Sequence, residues 1–127
     1  MKAFFALLLA GFLVSACQET PEPALECQDG TVLGTDCGVP TGYFIKISQP
    51  IPEARSWVNP TTGATEYIIS AINVPVAYRS AGSHIFFTLR RPSSSELAAL
   101  GSVIALCDQS WEVMYLENAG NGSCATK

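Results

Sequence analysis

Residues 42–48 read GYFIKIS. Tyr43, Ile45 and Ile47 alternate with Phe44, Lys46 and Ser48, the two-residue period of a strand that buries one face. Pro50 and Pro52 stop it, because proline cannot donate to a ladder. The same grammar extends in both directions. HIFFTLR (84–90) sets Ile85, Phe87 and Leu89 on one side against His84, Phe86, Thr88 and Arg90 on the other. Ile45 and Phe87 belong to the more uniformly apolar sets and are expected inside. NPTTG (59–63) is a turn between SWV and TEYIISAI, which predicts a hairpin. TVLG (31–34), after an Asp29-Gly30 turn signal, reads as a weak first strand, and WEVMYLE (111–117) as the last.

One helix interrupts this pattern. Ser93 and Glu96 have the spacing of a capping box, Ala and Leu follow, and Gly101 can close the last turn. SVIALC (102–107) reads equally as strand or helix. Five or six short strands with one short helix predict a mainly β domain, an antiparallel sheet rolled into a small barrel, since closure removes exposed edges.

The N-terminus is of another kind. Lys2 precedes an uncharged apolar run from Ala3 to Val14, with small Ser15 and Ala16 behind it. That is a three-part export signal, too short to span a bilayer permanently. The quartet Val14-Ser15-Ala16-Cys17 resembles the bacterial lipobox. The resemblance implies cleavage after residue 16 and acylation of Cys17, as with diacylglyceryl and palmitoyl chains; several chains on one residue hold a protein durably to a membrane. Gln18, where Asp would retain a lipoprotein at the inner membrane, implies the outer membrane on its periplasmic or surface face. Residues 17–26 then form a lipidated, acidic, proline-containing tether, which buries little. Residues 27–127 are a single domain.

Cutting after residue 16 leaves 111 of the 127 residues. A chain of that length buries roughly 65% of its unfolded surface, enough for a core. The full chain carries a formal charge of −4, with no basic stripe to displace counterions from phosphates, which excludes a nucleic-acid partner. Beyond Cys17 there are four cysteines, Cys27, Cys37, Cys107 and Cys124. An even number in an exported chain reads as two disulfides. Zinc is not expected, because thiolate ligands cluster at shorter intervals and the sole histidine, His84, is remote. Spacing leaves all three pairings open.

The order Cys27, GTV (30–32), Cys37-Gly38, YFIKI (43–47), INVPVAYRSAGSHIFFTL (72–89) and Cys107 is similar to a group of small exported lipoproteins of Bacteroidetes type. Their pattern runs from a strand with Cys-Gly, through Asn-Leu-Pro, to a Gly-hydrophobic-x-Phe strand, a cysteine and a terminal strand. Here Asn73-Val74-Pro75, Gly82 and Phe87 carry the likeness, with Val74 in place of Leu and Cys124 as an addition. The resemblance implies an OB-like barrel and a Cys37–Cys107 disulfide, which leaves Cys27 with Cys124. It brings no activity.

No catalytic constellation declares itself. Asp36, Asp108 and several serines are the groups that could approach His84, yet no Gly-x-Ser-x-Gly elbow accompanies them. Glu53, Glu66, Glu96, Glu112 and Glu117 are scattered, and no pair is singled out for acid–base work. No phosphate loop or calcium loop appears, so no cofactor or metal is expected. Arg90-Arg91 reads as a solvated strand end before it reads as an anion rim. Tyr43, Trp57, Tyr67, Tyr78, Phe86, Phe87 and Trp111 offer stacking surfaces for sugars or bases, about half of them expected in the core. The sequence thus reads as a non-catalytic envelope lipoprotein, anchored to a membrane and meeting a protein or glycan partner. The alternative is an inhibitor of a secreted hydrolase, with QPIPEA (49–54) as its inserting loop. A small enzyme built on His84 comes last.

Overall fold

The computed structural model describes residues 26–101 and 111–124. The export signal, Cys17, most of the tether, Cys107, Asp108 and the ambiguous segment 102–107 lie outside the described residues. Among the described residues six strands and one α-helix follow in the order β1 (Gln28–Thr35), β2 (Tyr43–Ile47), β3 (Arg55–Val58), β4 (Thr65–Ile72), β5 (His84–Arg90), α1 (Ser94–Ala99) and β6 (Val113–Gly120), with a 3-10 turn at Val76–Tyr78.

Strands β2, β1, β5, β6 and β4 are hydrogen-bonded in that order, and β2 also pairs with β4. That last pairing closes five strands into an OB-like barrel. β3 folds back on the first half of β4, with Arg55 opposite Ile68 and Val58 opposite Thr65. The barrel is not antiparallel throughout, as the strand pattern predicted. Ser70, Ala71 and Ile72 of β4 run parallel to Val113, Met114 and Tyr115 of β6, so the sheet is mixed. Alternation within a strand fixes which face is buried, but not the direction of a neighbour more than forty residues away.

The core is the inward set of these strands, Val32, Ile45, Ile47, Ile69, Ala71, Ile85, Phe87, Leu89, Met114 and Leu116, joined by Val74 just beyond β4. Ile45 and Phe87 are fully buried, as the alternation predicts. One turn signal is overturned. Asp29-Gly30 lies inside β1, which begins earlier than TVLG because Gln28 pairs with Phe87. Gly30 is there for space: a Cβ would stand 2.7 Å from the Lys46 carbonyl oxygen and 2.8 Å from Ile45 Cγ2, so β1 and β2 could not approach as they do.

The helix is the predicted one. Ser93 Oγ accepts from the Glu96 N–H and the Glu96 carboxylate accepts from the Ser93 N–H, a complete capping box. Gly101, with φ of 72°, follows the last turn. Asn73 follows β4 with φ of 65° and donates from Nδ2 to the Leu116 carbonyl, while Val74 is buried beside it. The Asn-Val-Pro stretch thus ties the end of β4 to β6.

Candidate binding face

Because β2 and β4 send alternate residues inward, the residues between them form an outer wall. The register arranges these in rows. Phe44 lies opposite Ser70, which neighbours Val113; Lys46 lies opposite Ile68, which lies opposite Arg55; Glu66 lies opposite Trp57. Directly opposed residues share a face and touch.

The first row is closed off by packing. Phe44 and Trp111 have ring centroids 5.0 Å apart, and the Arg55 guanidinium stands 4.7 Å from the Trp111 centroid. Ser70 is fully buried despite its outward position. Its hydroxyl donates to Asp36 Oδ2 at 2.5 Å, and Asp36 Oδ1 accepts the Gly38 N–H. These bonds shape the β1–β2 loop, where residues 35–43 line an open cavity of about 290 Å³.

The far row is open. Glu66 Oε1 accepts from Asn59 Nδ2 at 3.2 Å and lies 3.6 Å from Lys46 Nζ. A cavity of about 230 Å³ lies here, lined by Thr31, Lys46, Ser48, Thr65, Glu66 and Tyr67 among others. Trp57, across the ladder from Glu66, is 47% exposed. The turn explains this arrangement. Asn59 Oδ1 accepts the Thr61 N–H, Asn59 N–H donates to the Ala64 carbonyl, and Gly63 takes φ of 72°. The turn fixes the hairpin register and so sets Trp57 against Glu66.

The other sequence candidates disperse. His84 is exposed on β5, with Nε2 3.4 Å from Asp29 Oδ2 and its ring edge-on to Phe86. Asp36, one of its two suggested acidic partners, is engaged by Ser70 instead. Among the described residues Arg90 and Arg91 carry four carboxylates between them. Arg90 grips Glu96 through both terminal nitrogens and Glu117 through Nε, above the Tyr115 ring at 3.9 Å. Arg91 meets Glu112 at 2.6 Å and Glu53 at 3.4 Å. The bonds to Glu96 and Glu117 raise the Arg90 pKa further, and the Arg90 fork, followed by the Ser93 N–H, holds the Glu96 carboxyl down to about 2.

In the 49–54 loop, Ile51 and Ala54 pack against the core and Glu53 is nearly buried, which leaves Gln49, Pro50 and Pro52 exposed. Of the aromatics, Tyr43, Tyr67 and Tyr78 lean on the core and Phe87 is part of it. Cys27 and Cys124 are joined, as expected, across 97 residues of sequence. Cys37 is disulfide-bonded too; its expected partner Cys107 lies outside the described residues. Among the described residues no three His, Cys, Asp or Glu side chains are grouped to hold a metal, and no helix is long and apolar enough to cross a membrane. The group formed by Lys46, Asn59, Thr65 and Glu66 beside Trp57 was missed by motif reading. The length of the NPTTG turn is the signal that could have found it.

No protein-family model matches the chain, and no curated protein matches it.

Proposed function

We propose that this chain is an envelope lipoprotein of the exported Bacteroidetes type: acyl chains on Cys17 hold it to the outer membrane, and residues 18–26 carry a non-catalytic barrel that binds a partner on its outer wall. The observation that carries this reading is the Cys27–Cys124 disulfide. Such bonds persist in oxidising compartments outside the cytosol, and this one sits where the tether meets the domain. It pins the first described strand to the last, so a pull on the tether is borne by the barrel's covalent frame. The open polar wall beside Trp57 supports a binding role, and the pairing of His84 with Asp29 supplies no nucleophile to a catalytic one. Metabolic labelling with a fatty acid, followed by membrane fractionation, tests the anchor. The wild type should carry label and sediment with outer membrane. Cys17→Ser should carry none and accumulate as unprocessed precursor. Equal label in both would overturn the reading.

A further inference from the structure

The geometry points to a neutral oligosaccharide as the ligand of the outer wall, with Trp57 as its stacking platform and the cavity beside Glu66 as the place of one sugar ring. The inference rests on the reading of the barrel as a binding module and names the class of ligand.

Three observations converge on it. The first is size. The cavity of about 230 Å³ is below the roughly 300 Å³ at which drug-sized clefts begin, and it is open, so it accommodates one ring of a longer chain. The second is its chemistry. Thr31, Ser48 and Thr65 bring hydroxyls, Lys46 an ammonium and Glu66 a carboxylate, with Ile47 and Tyr67 of the core side completing the lining. Hydroxyls both donate and accept, and the ammonium and carboxylate supply the stronger one-way partners. A polyol, which also donates and accepts at every hydroxyl, is the complement of such a lining.

Charge decides between polyols and anions. Lys46 and Glu66 lie 3.6 Å apart and compensate each other. Asp29, next along β1 from the cavity-lining Gly30 and Thr31, adds a negative group. With Asp29 offset by Arg55 on the same wall, a phosphate, a uronic acid or a nucleic-acid backbone would therefore meet no net positive charge. A neutral sugar meets no penalty.

The third observation is Trp57. The residue is 47% exposed although it belongs to a paired strand, and it faces the same side as Glu66. An indole beside a hydroxyl-lined cavity can cover the C–H face of a pyranose while the cavity groups bond its hydroxyls, so the apolar and polar parts of a sugar are met by adjacent parts of the wall. Trp111 does not serve this way, since Phe44 and Arg55 already occupy its faces.

Titration calorimetry of the full chain with cellohexaose, maltohexaose and chitohexaose tests this. At least one should bind saturably below about 1 mM. Trp57→Ala should weaken that binding about tenfold or more, the order of a lost stacking contact. Trp57→Phe should stay within about threefold, keeping a ring with a smaller face. Glu66→Gln, which leaves the platform intact, should also weaken binding, so the test does not depend on one variant folding. Val76→Ala, on an exposed residue of the 3-10 turn, should change nothing. No saturable heat with any of the three up to about 10 mM would overturn the inference, and so would a folded Trp57→Ala that binds like wild type. Failure here leaves the lipid labelling of Cys17 untouched, and a negative labelling result leaves sugar binding untouched.

Discussion

Along β2 and β4, neighbouring residues live in two different environments. Inward, Ile45, Ile47, Ile69 and Ala71 are buried and chemically uniform. Outward, on the same two strands, stand Phe44, Lys46, Glu66, Ile68 and Ser70, no two alike. The inner face is governed by volume, because packed interiors tolerate neither voids nor extra atoms. The outer face is governed by which partner each group finds. At one end the partner is internal: Ser70 has Asp36, and Trp111 has Phe44 and Arg55. At the other, around Trp57, the surface stays open. A barrel can thus keep one face constant in chemistry and still vary the other by single substitutions, which is how a small closed sheet carries a binding site without disturbing its core.

The comparison breaks if the inner face proves indifferent to volume. Phe87 has no exposed surface and stands where β1 and β5 meet. Phe87→Ala should cost about 3–5 kcal/mol in urea unfolding, a large share of a small domain's stability. A loss below about 1 kcal/mol would mean that the inner face can refill the space and is not governed by packing.

A smaller effect is expected where the outer wall has become interior. Ser70→Ala leaves Asp36 Oδ2 without the hydroxyl that donates to it. Removing one partner of a buried polar pair costs about 1–3 kcal/mol, and Asp36 is itself 7% exposed. Asp36→Ala combined with Ser70→Ala should cost less than the sum of the two single changes, because both remove the same bond. Additive losses would show that Asp36 acts mainly through the Gly38 N–H that it also accepts. Smaller again is Trp57→Ala. On the open part of the wall it should move stability by no more than about 0.5 kcal/mol, which keeps it usable as a binding variant. A larger loss would show the indole to be structural.

The two faces also differ in how far they could be read from sequence. Ile45, Phe87 and the strands that hold them follow from alternation alone, because burial of one face is a local rule. The capping box at Ser93 and Glu96 is local as well. The hairpin turn was visible at NPTTG, since turn chemistry sits in a few consecutive residues. The parallel pairing of Ser70 with Val113 was not visible: it depends on how the whole chain closes. For the same reason Asp36 did not announce its bond to Ser70, and Arg90-Arg91 did not announce the carboxylates gathered around it from β6, α1 and the loops. Asp29-Gly30 misled, because a glycine needed for close approach looks like one needed for a turn. On the outer wall the residue types were legible, Trp57 and Glu66 among them, but their juxtaposition belongs to the register.

The smallest expected effect concerns the tie between α1 and the barrel, and it shows only as a dependence on pH. Arg90 closes on Glu96 with two hydrogen bonds of 2.8 and 2.6 Å, and the Ser93 N–H adds a third at 2.7 Å. All three favour the carboxylate, so the folded-state pKa falls from the ordinary 4.5 to about 2. A depressed carboxyl contributes stability that is fully present above its unfolded value and is lost as pH falls through the folded one. The window is therefore from 4.5 down to about 2. Carbon-detected NMR of the Glu96 carboxyl should show a midpoint near the lower end. In Arg90→Lys, which keeps the charge but loses the planar fork, the midpoint should rise part of the way back. Glu96→Gln should be less stable than wild type at about pH 6, and the gap should narrow steadily as pH falls from 4.5 toward about 2. Because the pair is solvent-exposed, the difference at the higher pH should shrink in high salt. A Glu96 midpoint at its ordinary value would mean that α1 is held to the barrel by something other than Arg90. A difference between Glu96→Gln and wild type that does not narrow between pH 4.5 and about 2 would place the effect in the capping box, where the Gln amide and the carboxyl do not accept from the Ser93 N–H alike.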